Sequence, residues 1–134
     1  MKGQQRRMYY IVTNNPMVAK TEWRGMKTEY LEEGTYLDVL LKVREYTHKH
    51  YSIITHPLAG SIKPNQIPYR SISVSDKPVD EEEYFQSCIL IENCIETYNK
   101  FMACRPMPNW PEHFYEDFQL ADFSLFDGAV QNMI

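Results

Sequence analysis

Two stretches place polar, chemistry-bearing residues directly after an apolar run. Thr13, Asn14 and Asn15 follow "YYIV", Thr55 and His56 follow "YSII", and each set passes into a proline, Pro16 or Pro57. Hydroxyl and amide side chains beside the open N–H groups of a helix start suit phosphate or carboxylate, because those N–H groups and the helix dipole both favour negative charge. Downstream of His56, Gly60 and Ser61 permit close approach of a ligand to the backbone, and Lys20, Lys63 or Arg70 supplies positive charge. The expected ligand-binding set is Thr13, Asn14, Asn15, Thr55, His56, Gly60, Ser61 and Lys63, with a small anionic metabolite as ligand. A plainer account uses the same residues: Asn15 caps a helix, His56 satisfies a local backbone group, and Pro57, Pro64 and Pro68 stiffen a connection longer than ordinary loops.

Catalytic signatures are missing. The chain has no Walker loop, no G-x-S-x-G and no G-x-G-x-x-G, and a covalent nucleophile is not evident. An imidazole titrates near neutrality, so His56 is the candidate general acid or base in an alternative reading, an enzyme acting on a phosphorylated small molecule or nucleotide. His48 and His50 lack the i, i+4 spacing that aims two ligands from one helix face, so no metal is expected and no cofactor is indicated. Cys88, Cys94 and Cys104 lack C-x-x-C spacing and read as buried thiols in a reducing compartment.

The elements that must position these residues are legible in the apolar pattern. "MYYIVT" reads as a strand covered on both faces, and Asn15 with Pro16 opens a helix of about two turns ending at Gly25. "MKTEYLE" reads as a second strand. Thr35 and Asp38 form a capping-box-like start to a helix whose stripe is Tyr36, Leu40, Val43 and Thr47. "YSIIT" is expected as a third strand and "SISVS" as a half-exposed strand near an edge. A long helix follows from Asp80, with Tyr84, Cys88, Ile91, Ile95, Tyr98 and Met102 on one face. "RPMPNWP" breaks it, with Trp110 packing under the turning chain, and a last helix begins after Pro111 on the stripe Phe114, Phe118, Ala121 and Leu125.

Two strand–helix–strand steps imply right-handed parallel crossovers. The expected fold is thus α/β, a small three-layer sandwich with a mainly parallel sheet of about four strands, ordered 2-1-3 with the fourth at an edge. In that arrangement Thr13 to Asn15 face Thr55 to Ser61 across a cleft at the carboxyl ends of the strands, where open α/β sheets bind ligands. All 134 residues are expected to form a single domain, residues 1–134. With 18 acidic residues against 14 Lys and Arg, a formal charge of −4, a broad grip on nucleic acid is not expected. The apolar run from Met8 to Val12 is too short for a signal peptide and no run approaches a membrane span, so a cytoplasmic protein is expected.

Taken together, "YYIVTNNPMV", "GTYLDVLLKVREYTHKHYSIITHPLAGSIKPNQIPYRSI", "IENCIETYNKF" and "RPMPNWPEHFYEDFQLADFSL" resemble the GrdX family, small proteins associated with glycine reductase gene clusters. The resemblance spans nearly the whole chain. It implies an accessory role in glycine reductase metabolism, with glycine reductase components as partners, and it carries over no catalytic residue. A second, partial resemblance joins "TNNPMVAK" to the T-N-N-x-x-K phosphate-binding turn of the inosine triphosphate pyrophosphatase family, with the lysine two positions later and that family's downstream motifs absent. A third reading is a protein–protein module built on the aromatic C-terminal segment.

Overall fold

The computed structural model describes residues 8–58 and 62–132. In chain order the elements are β1 (Tyr9–Thr13), α1 (Pro16–Ala19), β2 (Thr28–Tyr30), α2 (Tyr36–His48), β3 (Ser71–Ser75), α3 (Glu81–Cys104) and α4 (Tyr115–Gln131), the last preceded by a 3-10 turn, Glu112–Phe114. The helix starts follow their capping chemistry. Asn15 accepts from the Met17 N–H with Pro16 in the first turn, and Thr35 and Asp38 exchange both bonds of a capping box. Asp80 accepts from the Glu83 N–H, with acidic residues over the first turn of α3. The first helix is shorter than its sequence suggests, because the chain leaves helical geometry after Lys20 and turns through Arg24 at φ 57° and Gly25 at φ 82°.

Among the described residues the sheet has three strands in the order β2-β1-β3. It is mixed: β2 runs parallel to β1, while β3 runs antiparallel to it, pairing Thr13 with Ser71 and Val12 with Ile72. This corrects the expected mainly parallel sheet of about four strands. "SISVS" is the direct neighbour of β1, and "YSIIT" lies outside it, held by one antiparallel bridge from Ile53 to Val74 and by the Ile54 N–H donating to the Ser73 carbonyl at 2.9 Å. The serines explain the exchange. Their alternation with Ile72 and Val74 reads as a half-exposed edge, yet all five residues of β3 are buried, because each serine hydroxyl meets a polar partner. Ser71 bonds Thr13 and Asp122, Ser73 bonds Thr55, and Ser75 bonds the Ser52 N–H and the Lys77 carbonyl. Buried hydroxyls so paired escape the penalty of desolvation.

Alternation along β1 divides the core into two clusters, one on each face of the sheet. Val12, Ile72 and Val74 pack with Val39, Leu40 and Val43 of α2 and Ile91, Ile95 and Tyr98 of α3. On the opposite face Tyr9 and Ile11 pack with Val18 of α1, Trp23, and Phe126 and Val130 of α4. The layers are therefore α2 with α3, the sheet, and α1 with α4. Trp110 stands against Phe114 and Phe118, ring centroids 5.6 and 5.1 Å away, and anchors the chain where it turns into α4. Among the described residues no helix is long and apolar enough to cross a membrane.

Candidate functional site

At the end of the sheet where β1 finishes and β3 begins, polar side chains that the sequence spreads over more than a hundred positions are buried together. The Thr13 hydroxyl lies 2.7 Å from that of Ser71, which lies 2.7 Å from Asp122 Oδ2. The Ser71 N–H donates to Asp122 Oδ1 at 3.1 Å. Asn15 Nδ2 donates to Asp122 Oδ2 at 2.9 Å and to the Gln119 carbonyl at 2.8 Å. Because the Asn15 N–H already donates to Thr13 Oγ1, the hydroxyls order themselves as Thr13 donating to Ser71 and Ser71 to Asp122. Both carboxylate oxygens accept, which is the pattern of an ionised group. Burial pushes the Asp122 carboxyl above its usual range, while the bonds from Asn15 and Ser71 and the charge of Arg70 pull it back.

Arg70 is the second buried charge, at 7 % exposure. Its N–H donates to Asn14 Oδ1 at 2.9 Å and its Nη2 to the His56 carbonyl at 2.6 Å, so it ties the loop after β1 to the loop after residue 55. Asn14 completes the tie through Nδ2, which donates to the carbonyls of Gly34 and Pro68 at 3.0 and 2.9 Å. Two cavities flank this knot, and Arg70 and Asp122 line both. One, of about 350 Å³, is closed by Tyr36, Ile67, Tyr69 and Leu125. The other, of about 250 Å³, lies under Thr55, His56 and Phe126.

The expected site residues divide between these roles. Thr13 and Asn15 hold Ser71 and Asp122, and Asn14 braces Arg70, so their polar atoms are committed to the fold. Thr55 Oγ1 accepts the Ser73 N–H at 2.8 Å. The start of β3 stands between the two loops, so the pair expected to face each other directly meets through Arg70, which bonds Asn14 and the His56 carbonyl. His56 is exposed, and its Nδ1 accepts the Leu58 N–H at 3.0 Å, the local bond of the plainer account. Partial burial and the charge of Arg70 lower its pKa, favouring the neutral ring. Lys63 is exposed, with Nζ 5.9 Å from the Phe101 ring centroid. Beside it, Asn65 Nδ2 donates to the carbonyls of Phe101 and Arg105 and caps the end of α3. Gly60 and Ser61 lie outside the described residues. Lys20 is exposed at the end of α1.

Asp122 escaped sequence reasoning because the stripe read for the last helix was Phe114, Phe118, Ala121 and Leu125. The buried stripe is Asp122, Phe126 and Val130, and an aspartate heading an apolar i, i+4, i+8 row is the signal that marks it. The cysteines also depart from expectation. Cys94 is buried, with burial pushing its thiol up to about 11, while Cys88 is half-buried and Cys104 is exposed at the last turn of α3. Among the described residues no three His, Cys, Asp or Glu side chains gather into a metal-ligand set. No curated protein and no solved structure matches the chain. The model of one family, described as GrdX-like protein, matches residues 10–131 of the 134, and the chain belongs to that family.

Proposed function

We propose that the protein binds a small anionic metabolite at Arg70 and serves glycine reductase metabolism as an accessory, non-catalytic component. One observation carries the binding reading: a buried arginine, Arg70, lines two cavities at the end of the sheet. Arginine presents a planar fork of donors that suits carboxylate and phosphate, and partial desolvation strengthens such pairing. The anion is recognised here by a side chain of the polar knot, with Thr13, Asn14, Asn15 and Thr55 holding that knot in shape. The metabolic assignment draws on the resemblance to GrdX proteins alone.

The enzyme reading draws support from His56, which lines the smaller cavity beside Arg70. Binding stands ahead of it because His56 Nδ1 is committed to the Leu58 N–H and, among the described residues, no acid bonds the ring. Titration calorimetry with inorganic phosphate, acetyl phosphate and acetate tests the proposal on the wild type, Arg70→Lys and Arg70→Met. Binding should weaken by about tenfold or more in Arg70→Met, the loss of a charge-assisted hydrogen bond, and less in Arg70→Lys. Equal affinity in Arg70→Met, or no heat with any of the three anions, refutes it.

A further inference from the structure

A third cavity, of about 410 Å³, opens beside the first and shares Tyr36 and Tyr69 with it. Its walls carry four tyrosines, Tyr30, Tyr36, Tyr69 and Tyr98, with Met102 among them. Tyr36 and Tyr98 stack with centroids 5.3 Å apart, and their hydroxyls stay protonated because burial raises both, Tyr36 to about 12. Tyr30 is held neutral too, by partial burial and then by the nearby charge of Glu32. The cavity is thus walled by aromatic rings, whose quadrupoles attract cations, together with a polarisable thioether.

Glu32 and Glu33 line the same cavity. The turn that carries them is pinned on both sides: the Gly34 N–H donates to the Leu31 carbonyl at 2.9 Å, and the Gly34 carbonyl accepts from Asn14. The ion pairs among the described residues join Lys42 to Glu29 and Glu45 and Arg44 to Glu92, so among the described residues neither Glu32 nor Glu33 has a lysine or arginine within 4.0 Å. A neutral apolar ligand makes no use of these two carboxylates, and an anion is repelled by them with no lysine or arginine in this lining to offset their charge. The ligand that uses both rings and carboxylates is a small organic cation.

We infer that this tyrosine-lined cavity is a binding site for a small alkylated ammonium compound, held by the tyrosine rings and by Glu32 and Glu33. The inference stands apart from the Arg70 reading, since it uses different charged residues and the opposite charge of ligand. Choline and tetramethylammonium are the probes, with the uncharged carbon isostere of choline as control, titrated calorimetrically or followed by tyrosine-ring NMR shifts. Choline should bind roughly three- to tenfold more tightly than its isostere, the range expected for a cation over aromatic faces. Glu32→Gln with Glu33→Gln, and separately Tyr30→Leu, should each weaken choline binding by about threefold or more while leaving the isostere unchanged. Both glutamates are exposed, so circular dichroism should show an unaltered fold. Equal binding of choline and the isostere, an undiminished affinity in the double Gln variant, or no choline binding up to about 50 mM, well beyond ordinary weak ligand affinities, overturns it.

Discussion

Replacing Asp122 by asparagine keeps the shape of the side chain, removes its charge and turns one acceptor into a donor. Its consequence can be followed atom by atom. Oδ1 still accepts the Ser71 N–H, but an amide nitrogen now stands where Oδ2 accepted from Asn15 Nδ2 at 2.9 Å and from Ser71 Oγ at 2.7 Å. The Ser71 hydroxyl can reverse and donate to Thr13, which strands the Thr13 hydroxyl, while Asn15 Nδ2 meets another donor. Both charge-assisted bonds to Oδ2 are lost, one of them replaced by a neutral bond from the new amide to Ser71, and two buried donors lack partners, each effect worth about 1–3 kcal/mol. Relief of burying a carboxylate offsets part of this, and the net expectation is a loss of roughly 2–4 kcal/mol from a total near 5–15 kcal/mol. Urea unfolding read by tryptophan fluorescence measures it, since Trp23 packs edge-on against Phe126 of α4 at 5.2 Å. The midpoint should fall with an unchanged slope. A loss below about 0.5 kcal/mol, within the range of an ordinary surface substitution, would refute the reasoning.

The pH dependence gives a separate reading of the same group. Burial raises the Asp122 carboxyl in the native state, so the folded protein holds that proton to higher pH than the unfolded chain does. The stability contributed by this group is fully present below the ordinary carboxylate value, near pH ~4, and is lost as pH rises through the raised native value. Asp122→Asn lacks this slope. The advantage of the wild type over the variant should therefore narrow from acidic pH toward neutrality. A gap that widens instead would mean that the bonds from Asn15 and Ser71 outweigh desolvation.

Gly34→Ala should destabilise the protein by about 1–3 kcal/mol, because an added Cβ would meet Leu31 Cβ at 2.9 Å and the Leu31 carbonyl oxygen at 3.2 Å. Thermal unfolding measures it, and a neutral result would show that the turn before α2 yields easily. Thiol labelling under native conditions should modify Cys104 first and Cys94 last, since Cys104 is exposed and Cys94 is buried with its thiol raised to about 11. Labelling of Cys94 at the rate of Cys104, followed by mass spectrometry, would contradict its placement on the buried face of α3.

Local chemistry determined the helix starts and the first strand. Asn15, Thr35 and Asp80 each carry the oxygen that an open helix N-terminus needs within three residues, so their role is written into a short window. The unbroken apolar run of β1 likewise announces a strand covered on both faces. Strand order was beyond such a window. "YSIIT" and "SISVS" both satisfy strand preferences, and which of them lies beside β1 depends on partners for three serines that come from Thr13, Ser52, Thr55, Lys77 and Asp122. A serine beside an isoleucine looks solvent-facing until its hydroxyl has a buried partner, and those partners lie up to 58 residues away in sequence. The same dependence hid Asp122. The stripe read for α4 left it out, and only the folding of α4 against the start of β3, where Asn15 and Ser71 wait as donors, makes its burial affordable.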